Sequence, residues 1–112
     1  MTPRRIAILI SGRGSNMAAL IEACKNPDYP AEIAIVVSNR PEAAGLEIAA
    51  IAGIPAVAID HKQFESRPAF EAELDAALRK ADVELICNAG FMRLLTEGFV
   101  EAWKDRQLNI HP

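Results

Sequence analysis

Arg5-Ile6-Ala7-Ile8-Leu9-Ile10 runs without a break into Ser11-Gly12-Arg13-Gly14-Ser15-Asn16. The first half is a short, β-branched, continuously apolar run bounded by Ser-Gly, which reads as a strand buried on both faces. The second half is a glycine-rich turn. After it, Met17, Leu20, Ile21 and Cys24 are spaced as one face of a helix predicted over Ser15 to Asn26, with Ser15 or Asn16 as its cap and Pro27 beyond its end. A fully apolar strand, a glycine turn and an amphipathic helix form the opening unit of a sheet covered by helices on both sides.

The pattern repeats downstream. Glu32 to Ser38 reads as a second strand, and Asn39-Arg40-Pro41 as a turn. Glu42 to Ala52 is an Ala-rich helix with Gly53 at its C′ position. Pro55 to Ile59 is a third strand, and Asp60 to Pro68 a polar connection in which His61 is expected at the surface without a partner. Arg67 to Lys80 carries Phe70, Leu74, Ala77 and Leu78 as a helical stripe. Val83 to Cys87 is a fourth strand, 88–95 a loop, Thr96 to Trp103 a short helix capped by Thr96, and Arg106 to Ile110 a fifth strand.

Strands alternating with helices imply a doubly wound, mostly parallel α/β sheet. With the first strand central, the second and third lie to one side and the fourth and fifth to the other. The crevice then opens between the first and fourth strands, at their carboxyl edge.

Composition narrows the function. The chain has 112 residues, one domain's worth, with a net charge of −3, a hydrophobic share of 51% and few aromatics. There is no basic footprint for nucleic acid. No run approaches the roughly 20 apolar residues of a membrane span, and the five-residue apolar start is too short for a signal peptide. Cys24 and Cys87 lack metal-ligand spacing. Both read as buried thiols in a reducing cytoplasm, and no metal is expected.

Three loops carry candidate chemistry. The Gly12-x-Gly14 turn suits an anion, because glycines let backbone N–H groups approach a phosphate and the helix N-terminus favours negative charge. Ser15 and Asn16 add donors. A dinucleotide fingerprint would need a small residue at Met17 and an acid near Asn39. NAD is therefore disfavoured, NADP is left only Arg40, and a monophosphate fits better. An ordinary strand-to-helix turn would share this pattern.

The second loop, Ala89-Gly90-Phe91-Met92-Arg93-Leu94-Leu95, sets apolar side chains around one cation. That suits a flat heterocycle, or a loop tucked under a helix. In the third, Asn109 and His111 fall on one side of a strand, since side chains alternate. An amide and an imidazole there can polarise a carbonyl and move a proton, although a strand-end histidine can also be purely structural.

Taken together, Ile10 to Asn16, Ala89 to Leu95 and Leu108-Asn109-Ile110-His111-Pro112 resemble the folate-dependent formyltransferase family, in the pattern of phosphoribosylglycinamide formyltransferase (GAR transformylase). The resemblance implies a Rossmann-like formyltransferase fold. Residues 1–112 would be the N-terminal nucleotide-binding portion of a single domain.

It implies that Gly14, Ser15 and Asn16 hold the phosphate of glycinamide ribonucleotide. Arg67, Met92, Arg93, Leu94, Leu95 and Asn109 would contact the co-substrate, 10-formyltetrahydrofolate. Asn109 would bind the formyl oxygen and His111 would donate a proton, without a metal. The family also shares an aspartate that works with the histidine. It is expected beyond Pro112, so this portion alone is expected to be inactive.

Related formyltransferases share Asn-x-His-Pro. Methionyl-tRNA formyltransferase lacks the first-loop pattern, and formyltetrahydrofolate hydrolase usually carries an extra N-terminal domain, whereas this chain opens at its first strand. The hydrolase and a non-catalytic nucleotide- or NADP-binding domain remain the alternatives. Asn88 departs from the pattern: an apolar residue is expected before Ala89-Gly90. It would either add a polar contact to the pterin pocket or need partners in the core. Asp105 precedes the fifth strand and does not match the missing aspartate.

Overall fold

A computed structural model describes residues 3–91 and 95–109. Its five strands are β1 (Arg4–Ile10), β2 (Ala31–Ser38), β3 (Ala56–Ala58), β4 (Leu85–Asn88) and β5 (Gln107–Asn109). They pair in parallel throughout, in the order β3-β2-β1-β4-β5. This is the expected arrangement, with β1 central. Its continuous apolar run is needed because both faces are covered: Ile6 to Ile10 are all buried.

The alternation along β1 divides the core in two. Ile8 and Ile10 join Met17 and Ile21 of α1 (Ser15–Cys24) and Ala49 of α2 (Ala44–Ile51). Ala7 and Leu9 join Phe70, Leu74 and Leu78 of α3 (Arg67–Lys80), together with Phe99 of α4 (Glu97–Ala102) and Trp103. The second layer holds the large aromatics. Trp103 is buried, its Nε1 donates to Asp75 at 2.8 Å, and the Arg79 and Arg106 guanidinium groups lie 5.2 and 4.6 Å from its ring centroid.

Several element ends differ from expectation, each for a local reason. α1 stops at Cys24 because its last bonds tighten to Lys25 N–H on Glu22 O and Asn26 N–H on Ala23 O; the Asn26 side chain then accepts from Asp28 N–H. Neither Ser15 nor Asn16 caps α1. The cap position is Gly14, in left-handed conformation at φ 74, with no side-chain bond. α2 begins at Ala44 rather than Glu42 because the chain first closes a turn, Ala43 N–H on Arg40 O.

β4 starts two residues late and takes in Asn88. Val83 N–H is tied back to Leu78 O, after a left-handed Asp82. The polar connection contains a 3-10 turn, His61–Gln63, capped by Asp60. Thr96 caps α4 and Gly53 terminates α2 in left-handed conformation, both as expected. No helix among the described residues is long and apolar enough to cross a membrane.

Candidate functional site

The carboxyl ends of β1, β2 and β4 meet around a cavity of about 270 Å³. Residues 11–16 form one wall, Arg40 approaches from the turn after β2, and Ala89 and Gly90 from the end of β4. The loops after β1 and β4 thus share one opening, at the point where the strand order reverses.

The first loop is built from main chain. Gly45 N–H donates to Gly12 O at 3.0 Å, so α2 braces the turn directly. The approach is close: a Cβ on Gly45 would stand 2.5 Å from Ile10 Cδ1 and 3.3 Å from both Gly12 O and Gly14 Cα. Gly14 carries the chain through left-handed φ into α1. Since no side chain caps α1, its leading N–H groups are left for a ligand in the cavity. Gly14, Ser15 and Asn16 all line it, as the anion reading requires. Met17, at the third fingerprint position, is fully buried beneath the turn.

Side chains hold this loop from below. The buried Ser11 hydroxyl donates to Asn39 Oδ1 at 2.5 Å. Asn39 in turn meets His61, whose Nδ1 lies 3.1 Å from the Asn39 carbonyl oxygen and 3.3 Å from its Nδ2. Nδ1 donates to the first or accepts from the second, according to which ring nitrogen carries the proton. His61 is therefore half-buried and partnered, correcting the surface expectation. The Ser38 hydroxyl fixes the adjoining turn, donating to Arg40 O at 2.9 Å and accepting from Arg40 N–H at 3.0 Å. Arg40 consequently belongs to the anion cavity. Its placement after a predicted strand end was visible in the sequence, but its convergence with Gly14 depended on the strand order.

The second loop opens at Gly90, φ 79, and closes at Thr96. Phe91 and Leu95 are half-buried against the α3/α4 core, so Leu95 sits where a loop with apolar side chains was expected. Met92, Arg93 and Leu94 lie outside the described residues. The loop's far root is fixed by Glu71, a carboxylate only 6% exposed. It accepts from Thr96 N–H at 2.5 Å and from the Thr96 hydroxyl. Sequence reading missed Glu71, although its position beside Phe70 and three residues before Leu74 put it at the edge of the apolar stripe.

Arg67 stands exposed in the first turn of α3, behind the Ser66 cap; among the described residues nothing joins it to the cavity. Asn109 ends β5, in register with Asn88 of β4, and His111 lies outside the described residues. Asn88 Nδ2 donates to Gln107 Oε1 at 3.1 Å, while its Oδ1 is buried without a partner among the described residues.

Both cysteines are free thiols, but only Cys87 is buried; Cys24 is half-buried. Burial pushes both thiols above their ordinary 9.0, and Cys24 adds a repulsive charge to Cys87. No group of three His, Cys, Asp or Glu among the described residues could hold a metal.

Comparison with known proteins agrees with this geometry. The family model described as formyl transferase matches residues 4–112. Trifunctional purine biosynthetic protein adenosine-3 of Gallus gallus is 51% identical over 108 residues, covering 96% of this chain and 11% of that protein. Phosphoribosylglycinamide formyltransferase of Haemophilus influenzae is 39% identical, covering 97% of this chain and 51% of that enzyme.

The crystal structure of phosphoribosylglycinamide formyltransferase from Brucella melitensis superposes with a TM-score of 0.96 at 46% identity, over 99% of this chain and 58% of that one. The chain spans about half the length of the bacterial curated relatives it matches. With the strand order, the glycine turn and the Asn109 strand end all inside the matched region, the chain belongs to the formyl transferase family.

Proposed function

We propose that the whole protein transfers the formyl group of 10-formyltetrahydrofolate to the amine of glycinamide ribonucleotide, a step of purine biosynthesis carried out in the cytoplasm. The observation that carries this reading is the single cavity lined by the loops after both β1 and β4. One loop offers main-chain donors and cations suited to a phosphate, and the other offers apolar surface suited to a pterin. Relatives named for this reaction support the same reading over dinucleotide binding. Residues 1–112 would supply the nucleotide-binding portion of the domain.

In this mechanism the N–H groups at Gly14, Ser15 and Asn16 hold the ribonucleotide phosphate, with the Arg40 guanidinium adding positive charge. Arg67, Met92, Arg93, Leu94 and Leu95 hold the folate. The substrate amine attacks the formyl carbon, and the carbonyl oxygen becomes an oxyanion. Asn109 donates to that oxygen; one such preorganised donor is worth about 3–4 kcal/mol of barrier. His111 gives a proton to the departing N10, for which an imidazole titrates in the right range. The bond to N10 breaks as the amide forms, without a metal or a covalent enzyme intermediate.

The test uses the full-length protein with 10-formyltetrahydrofolate, with and without glycinamide ribonucleotide, following folate absorbance. Turnover is expected only with the ribonucleotide. Equal turnover without it would replace the transferase with a hydrolase. His111→Ala should lower the rate at least about 100-fold, and a near-normal rate would remove His111 from the chemistry.

A further inference from the structure

Asn39 is a polar residue only 2% exposed, so its hydrogen-bonding groups need partners inside the protein. Its N–H donates to Ile10 O at 3.4 Å, at the end of β1. Its Oδ1 accepts from the Ser11 hydroxyl at 2.5 Å. Its carbonyl oxygen and its Nδ2 both face one atom, His61 Nδ1, at 3.1 and 3.3 Å. With a proton on Nδ1 the imidazole donates to the carbonyl, and without one it accepts from Nδ2. Asn39 is held in either case.

The hold reaches two walls of the anion cavity. Ser11 opens the glycine turn on one wall, and Arg40 forms the other. The peptide joining Asn39 to Arg40 is fixed at both ends: His61 stands at its carbonyl, and its N–H donates to Ser38 Oγ at 3.0 Å. His61 itself does not line the cavity. It arrives on the 3-10 turn after β3, so one imidazole ties together the connections that follow β1, β2 and β3.

We propose that His61 is a positioning residue for the ribonucleotide phosphate, acting through Asn39 to hold Ser11 and Arg40 at the spacing the anion requires. This rests on the formyl-transfer reading, with the phosphate at Gly14 to Asn16. Donors bind an anion well when they already stand where its oxygens will be, since ordering them on binding subtracts from affinity. Without His61, Ser11 and Arg40 lose part of that order. The turn keeps its separate brace, Gly45 N–H on Gly12 O, so the loss is partial.

The test compares the full-length protein with three variants. His61→Ala should raise KM for the ribonucleotide about fivefold, the worth of one neutral hydrogen bond. KM for 10-formyltetrahydrofolate and kcat should keep parental values. His61→Asn places an amide where Nδ1 stood, able to donate or accept, and should restore the parental KM. His61→Gln carries the same amide one carbon further out and should not. Inorganic phosphate, as a competitor of the ribonucleotide, should weaken in the same variants. The Asn and Gln variants decide the matter even if the alanine variant unfolds.

An unchanged ribonucleotide KM in an active His61→Ala protein would overturn the assignment. So would Asn and Gln behaving alike, which would make the side chain a spacer. A parallel rise in both KM values would also overturn it, by making His61 general scaffolding. A parent whose turnover ignores the ribonucleotide would take down the broader reading and this one together. An active parent with indifferent variants sinks this one alone.

Discussion

The loops after β1 and β4 open on the same cavity but are held by different means. The first is braced by backbone: Gly45 N–H on Gly12 O, a left-handed Gly14, and an α2 so close that Gly45 has no room for a Cβ. The second is held by side chains: Phe91 and Leu95 against the aromatic core, and Glu71 gripping Thr96 from 25 residues away. The difference matches the ligand proposed for each. A phosphate is small and negative, and converging N–H groups suffice. A pterin is flat and large, and needs a shaped apolar wall.

The sharpest way to break this contrast is Gly14→Ala. The substitution forces a Cβ onto φ 74 and places it 2.9 Å from Met17 Cε and 3.0 Å from Gly45 Cα. The methionine end can move, but the α2 backbone cannot without loosening the brace on Gly12. Left-handed strain and overpacking together should cost about 2–4 kcal/mol in urea unfolding of the full-length protein. KM for the ribonucleotide should rise well before KM for the folate. A variant of parental stability would show that the first loop is not rigid.

The second loop should fail differently. Glu71→Ala leaves the Thr96 N–H and hydroxyl without their acceptor, at about 1–3 kcal/mol. Its kinetic signature should be the reverse of the first, a raised KM for the folate with the ribonucleotide spared. Glu71→Gln, which keeps one acceptor oxygen, should fall between. If Glu71→Ala raised both KM values alike, the two loops would be one mechanical unit and the contrast would be lost.

These two regions also differ in how far they can be read from residues alone. Gly12, Gly14 and the apolar run before them declare a backbone device, because glycine is itself a statement about backbone; strand order followed from the alternation of elements. Glu71 declares nothing locally, since its partner is 25 residues distant. The Ser11–Asn39–His61 chain was equally hidden, as its members come from three separate connections. Ser15 and Asn16 are both good cap residues by type, but the turn's geometry gives the cap position to Gly14.

A smaller effect joins the elements beneath the two loops. Cys87 lies on β4 and Cys24 at the end of α1, and burial raises both thiols above 9.0, with Cys24 raising Cys87 further. In the unfolded chain each thiol ionises near its ordinary value, while in the folded protein the thiol stays protonated to higher pH. Stability from this source is complete below pH 9.0 and is lost as pH rises through the folded values. The parent's pH profile sums every ionising group and cannot by itself assign the loss. The difference from Cys87→Ala can. The variant is less stable by a constant cavity cost, and its unfolding free energy should fall less steeply above pH 9.0, by at most about 1.4 kcal/mol per pH unit. Parallel profiles would mean that Cys87 ionises as freely in the fold as in the open chain.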